Sequence, residues 1–217
     1  MNNIAVIMTT TIYIDMNSLL FKNGQLVDNI KRIEQYYEGI KRFAEFNGKY
    51  NFDTYIIDNS IPFINLPIKL QNLITVNKYK YYNNTPNNFG KDNKGAGLIQ
   101  AWQDNINIFR KYKFLIFFEP RQYMEENIII PQFLNNQTSY FCKWKKKGFE
   151  TGFFIIKKHI MIKYLQRIDQ KYLINIVKKN IAIENDLKKF IDNHKFNYKL
   201  VPRLHLLNFK KNRTDQI

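Results

Sequence analysis

An unbroken apolar run, Phe114-Leu115-Ile116-Phe117-Phe118, is followed at once by Glu119-Pro120-Arg121. The run is too short for a helix and has Phe and Ile in it, so it predicts a strand buried on both faces of a mainly parallel sheet. A similar block, Ile4 to Thr9, predicts a first strand that ends in Thr9-Thr10-Thr11. The period then changes. Ile30, Ile33, Tyr37, Ile40 and Phe43 recur every three or four residues, with Lys31, Arg32, Glu34 and Lys41 between them. That spacing predicts an amphipathic helix, opened by Asp28-Asn29 and ended near Asn47-Gly48. Phe52 to Ile57 predicts a second strand, closed by Asp58-Asn59-Ser60. Strand, helix and strand in this order imply a right-handed crossover and a doubly wound sheet.

Leu73 to Val76 reads as a short strand, and Tyr81 to Asp92, dense in Asn, Pro and Gly, as a flexible surface loop. Asn93-Lys94-Gly95-Ala96-Gly97 then opens a helix marked by Leu98, Trp102, Ile106 and Phe109. Past Arg121, Ile128 to Pro131 is an apolar break, and Gln132 to Thr138 a loop or short helix. Ser139 to Trp144 and Thr151 to Ile156 predict a hairpin around Lys145 to Gly148. A helix follows from His159 to Ile168. Glu184-Asn185-Asp186-Leu187 precedes a last helix through Phe190 and Ile191, and the tail gives a final strand and a basic end.

With 217 residues, 45% of them hydrophobic, the chain has enough apolar surface for one substantial core. The net charge of +16 favours polyanions: nucleic acid, anionic lipid or phosphorylated small molecules. The abundance of Asn, Ile, Lys and Tyr is what an AT-rich gene would give, which weakens that inference. Lys143-Trp144-Lys145-Lys146-Lys147 suits either a nucleic-acid backbone with a stacking aromatic or a solvated turn. The single cysteine, Cys142, excludes an internal disulfide and suggests a reducing, cytoplasmic setting. The start reads as a strand rather than a signal peptide. No stretch approaches the roughly 20 apolar residues of a transmembrane helix, so any membrane contact is expected to be peripheral. His159, His194 and His205 are scattered without ligand spacing, which argues against zinc.

Ligands of open α/β sheets collect beyond the carboxyl ends of the strands, where Glu119 and Arg121 would stand, unless they only solvate the strand end. Asp58 either meets a nucleotide there or makes its turn. The glycines after Asn93 allow close approach to a helix start, whose free amides favour an anion. No Walker Gly-Lys-Ser/Thr follows.

In this order, Thr9 to Thr11, Asp58-Asn59-Ser60, Asn93-Lys94-Gly95-Ala96-Gly97 and Phe114 to Glu119 resemble the small family-2-like glycosyltransferases of the GT-A fold. The resemblance is clear over about Ile4 to Phe154. It implies one α/β domain, a Rossmann-like, mainly parallel sheet flanked by helices, with a C-terminal hairpin and helices. Residues 1–121 would form the nucleotide-binding half and 122–217 the acceptor side. It further implies sugar transfer from a nucleotide-sugar donor to a glycan or lipid-linked acceptor. Thr9, Thr10, Asp58, Asn59, Asn93, Gly95, Glu119 and Gly152 would hold the donor. Glu150 could bond a sugar hydroxyl. The acid pair at the last helix would supply the base, Asp186 ahead of Glu184, unless both merely cap the helix.

One departure stands out. The family's Asp-x-Asp, which holds a divalent cation, is here Glu119-Pro120-Arg121. The expectation is therefore no obligatory metal, with Arg121 neutralising the departing diphosphate, helped by Lys94 or the lysines of 143–147. If manganese or magnesium is used, Glu119 is its ligand. The alternatives are a nucleic-acid-binding module and a catalytically inactive, transferase-like binding domain.

Overall fold

The computed structural model describes residues 3–14, 28–123, 129–144, 148–201 and 205–206; the lysines at 145–147 lie outside these, as do the side chains of Lys143 and Trp144. Strand β1 (Ile4–Thr10) leads to helix α1 (Asn29–Asn47), capped by the Asp28 carboxylate on the Lys31 amide. Next come β2 (Asp53–Asp58), a 3-10 turn (Phe63–Asn65), α2 (Ile68–Val76) and β3 (Lys80–Tyr82). Helices α3 (Lys94–Asp104) and α4 (Ile106–Phe109) deliver the chain to β4 (Phe114–Phe118). The second half holds β5 (Gln122–Tyr123), α5 (Ile129–Asn136), β6 (Ser139–Trp144), β7 (Gly148–Lys157) and α6 (Lys158–Gln166). It continues with α7 (Gln170–Lys178), α8 (Ile183–Asn193), β8 (Tyr198–Val201) and β9 (His205–Leu206).

Seven strands form a sheet in the order β3-β2-β1-β4-β7-β6-β8. The first four are mutually parallel; β7 runs antiparallel to both β4 and β6, and β8 lies parallel to β6. This is the mainly parallel α/β sheet with a C-terminal hairpin that the apolar pattern implied. Alternate residues of β1 face opposite layers. Ala5 and Ile7 pack with Trp102 of α3, Tyr164 of α6 and Leu187 of α8, whereas Val6 and Met8 pack with Ile40 and Phe43 of α1 and Phe133 of α5. On the first face a ladder of rings crosses the strands. Phe117 stacks on Phe154 (4.5 Å), Phe154 on Phe141 (5.7 Å) and Phe141 on Phe149 (4.2 Å), while Trp102 meets Phe117 edge-on at 5.0 Å.

Several expectations are corrected. Leu73 to Val76 is the last turn of α2, not a strand. Its β-branched residues imitate a strand, but the helix starts after Pro67 and buries Leu70 and Ile74, four apart, and the strand itself is Lys80–Tyr82. In α1 the buried stripe runs through Tyr36, Ile40 and Phe43, and Ile30 is 77% exposed. Helix α7 is additional; Asp169 caps it and Leu173 and Ile176 are buried. Glu184 and Asp186 lie inside the first turn of α8 rather than before it. The loop after β3 is tethered rather than loose. Asn83 donates to the Asp58 carbonyl (2.8 Å), Asn105 to Asn84 (3.2 Å) and Asn59 to Asn87 (3.2 Å), and a Cβ on Gly97 would fall 2.4 Å from the Gly90 Cα.

Candidate functional site

The carboxyl ends of β1, β2 and β4 come together at one edge of the sheet, and the loops leaving them are built by side chains. Asp58, fully buried, accepts from Thr10 Oγ1 (2.7 Å) and the Ile12 amide (2.9 Å) through Oδ2. Its Oδ1 accepts from Ser60 N and Oγ (2.8 and 2.6 Å) and Ile61 N (2.9 Å). With five bonds spent on the protein, Asp58 does not line the cavity; it holds the first two loops in register. Asn59 beside it accepts from Thr11 Oγ1 (2.8 Å) and does line the cavity.

A small inner cleft of about 100 Å3 lies here, lined by Thr9, Thr10, Arg32, Tyr36, Trp102, Glu119, Glu150 and Gly152, among others. It opens into an outer groove of about 970 Å3 bordered by Tyr13, Asn59, Ser60, Asn93, Gly95 and residues 180–184. Thr11, Arg32, Asn59, Lys94, Thr151 and Glu184 border both. Thr9 accepts from Trp102 Nε1 (2.9 Å). Asn93 caps α3 through Ala96 N (3.0 Å) and reaches Asn180 (3.3 Å), and Lys94 is the first residue of that helix. A Cβ on Gly95 would press Ile183 at 3.1 Å, so glycine lets the starts of α3 and α8 approach each other.

Glu119 follows the last residue of β4, and its amide donates to the Gly152 carbonyl (2.7 Å), which draws β7 to the cleft. Its side chain is 17% exposed. Oε1 accepts from Arg121 Nε (2.6 Å) and the Tyr36 hydroxyl (3.2 Å), while Lys94 Nζ lies 3.6 Å from Oε2. Burial works against the charge, but Arg121, Lys94 and Arg32 outweigh it and hold the carboxyl well below the usual range. Burial likewise opposes the Arg121 charge, and Glu119 and Tyr36 overcome it. Arg121 does not line either cavity; it stands behind Glu119 as its counter-ion.

The two acids of α8 diverge. Glu184 stands where cleft meets groove and accepts from Thr151 Oγ1 (3.2 Å). Asp186 is 8% exposed and lines neither cavity. It accepts from Tyr164 (2.9 Å) and Tyr172 (2.5 Å) and pairs with Arg167, whose guanidinium lies over three rings, tying α6, α7 and α8 together. Glu150 lines the inner cleft, and its Oε1 accepts from Gly152 N (3.3 Å).

The donor set at Glu119 does not fit a divalent metal: one carboxylate, already held by a guanidinium and a phenol and faced by an ammonium. Among the described residues no three His, Cys, Asp or Glu side chains are grouped to hold an ion. Arg32, Tyr36 and Trp102 line the inner cleft although the sequence pattern does not single them out as site residues. Arg32 and Tyr36 look like the polar and apolar sides of an ordinary amphipathic helix. However, the first turns of a helix that follows a parallel strand return to the edge where that strand ends, and Arg32 Nε there donates to the Thr11 carbonyl (2.6 Å).

No family model matches the chain, and no curated protein matches it in sequence. Solved structures do. A protein of Desulfovibrio desulfuricans G20, provisionally assigned as a nucleotide-diphospho-sugar transferase, superposes with a TM-score of 0.58 at 11% identity, over 93% of this chain and 80% of that one. A glycosyltransferase involved in glycosylation of the major capsid of PBCV-1 gives 0.48 at 10% identity, over 92% and 82%. The first of these shows the fold, a GT-A-like α/β arrangement with a mostly parallel sheet flanked by helices.

Proposed function

We propose that the protein is a glycosyltransferase that moves a sugar from a nucleotide-sugar donor to a hydroxyl acceptor without an obligatory metal. The observation that carries this reading is the junction of cleft and groove, where Lys94 and Glu184 both border the two spaces. The nucleotide lies in the outer groove against Asn59, Asn93 and Gly95 with its ribose hydroxyls reaching Glu119, and its sugar enters the inner cleft beside Glu150 and Gly152. Thr9 and Thr10 form the cleft floor. Lys94, with the start of α3 behind it, and Arg32 take up the charge of the departing diphosphate. That role passes from Arg121, which is occupied by Glu119. Glu184 replaces Asp186 as base. It removes the acceptor proton as the oxygen attacks the anomeric carbon, the glycosidic bond to the diphosphate breaks, and the configuration inverts.

The direct test is calorimetric titration with uridine, guanosine, cytidine, thymidine and adenosine diphosphates and their sugars. At least one nucleoside diphosphate is expected to bind equally well in chelator and in manganese, and Lys94→Ala should weaken that binding about tenfold through loss of a charge-assisted contact. Binding that vanishes in chelator and returns with manganese would refute the metal-free version. Lys94 is 68% exposed, so this substitution should leave the unfolding midpoint near that of the wild type.

A further inference from the structure

Tyr36 is 1% exposed, and its hydroxyl uses its whole hydrogen-bonding capacity. A phenol has one hydrogen to give and two lone pairs to receive. Here it receives from the Thr11 amide (3.2 Å) and Arg32 Nη2 (3.2 Å) and gives to Glu119 Oε1 (3.2 Å). Two guanidinium groups lie over the ring, Arg32 at 5.3 Å and Arg121 at 5.5 Å from its centre. Its height is fixed one turn along α1. A Cβ on Gly39 would fall 1.3 Å from the Pro120 carbonyl oxygen, so only glycine lets the helix backbone sit against the Glu119-Pro120-Arg121 loop. One oxygen atom thus joins the β1 loop, α1 and the end of β4. Because Arg121 and Tyr36 both bind Oε1, the oxygen of Glu119 nearer Lys94 is Oε2.

We infer that Tyr36 is a positioning residue, whose hydroxyl sets the spacing between the Thr11 backbone and Glu119 and turns Oε2 of Glu119 toward the hydroxyl groups of a bound nucleotide. The second part rests on the nucleotide-sugar reading; the first does not. Loss of the hydroxyl leaves the Thr11 amide and one lone pair of Glu119 without this partner, while the ring keeps its contacts with the two arginines. The phenol remains a donor over the working range, because burial and the charge of Glu119 raise its pKa against the pull of Arg32 and Arg121.

Two measurements on Tyr36→Phe test it. Amide hydrogen exchange by NMR should show Thr11 exchanging at least about tenfold faster while the amides of β1 keep wild-type protection. Titration with the nucleoside diphosphate that the wild type binds should show about tenfold weaker affinity for Tyr36→Phe. Glu119→Gln should weaken it too, and the double variant should be no more than about twofold weaker than Glu119→Gln alone, because the phenol acts through that carboxylate. Unchanged exchange at Thr11 would overturn the spacing role, and effects that simply multiply in the double variant would overturn the orienting role. If the wild type binds none of the five diphosphates, the nucleotide-sugar reading fails and the orienting role with it. The exchange at Thr11 still decides whether the hydroxyl spaces the two loops.

Discussion

Glu184→Gln is expected to reduce sugar transfer by about 10² to 10⁴-fold in kcat, with the donor KM little changed, the usual range for removal of a positioned general base. The amide keeps the volume of the carboxylate and can still accept from Thr151 Oγ1, so the cleft should keep its shape. Only the ability to take a proton from the acceptor is lost. Measuring nucleoside diphosphate release with and without acceptor separates transfer from hydrolysis. Asp186→Asn is the informative contrast. Asp186 faces Arg167 and two tyrosines inside the helical layer, so its loss should lower the unfolding midpoint without a selective fall in kcat. If Asp186→Asn stays folded yet loses turnover while Glu184→Gln keeps it, the base assignment is wrong.

Arg121→Ala should be the most destabilising single change at the site, by about 3 kcal/mol, the lower end of what breaking a buried ion pair costs. The lower end applies because Tyr36 and Lys94 remain near the stranded Glu119 carboxylate. Urea unfolding measures it, and the pH dependence identifies the cause. The carboxyl of Glu119 is depressed in the folded protein, so its stabilising contribution is fully present above the ordinary value of 4.5 and fades as pH falls toward the lower folded value. The gap between wild type and Arg121→Ala should therefore be widest at neutral pH and narrow as the solution is acidified below about 4.5. A gap that stays constant with pH would mean that lost packing, not the stranded charge, sets the cost.

The parallel core was legible because its strands are apolar on both sides. Phe114–Phe118 has the limits its sequence announces, and β1 and β2 fall within a residue of expectation. Short elements were harder. Ile74-Thr75-Val76 favours a strand locally, yet burial of Leu70 and Ile74 on one side makes a helix. At the site, sequence could name strand ends but not the direction of each side chain. Glu184 and Asp186 differ by two helix positions, about 200° of rotation, so one reaches the cavity and the other the helix interior. Asp58 was legible as a strand-end acid with two roles, and its five internal bonds place it in the turn. Arg121 looked like a ligand for anions because its partner, two residues earlier, was itself a candidate.

The indole of Trp102 ends the aromatic ladder, is fully buried, gives its N–H to Thr9 and forms part of the inner cleft wall. It therefore joins the packed interior to the inner cleft, the space that the proposed function gives to the sugar. The chain's other tryptophan is Trp144 on β6. With Trp144 replaced by phenylalanine, the emission of the remaining indole should serve as an intrinsic optical gauge of whatever fills the cleft, and under the proposed function it should follow donor entry and product escape in real time without a label.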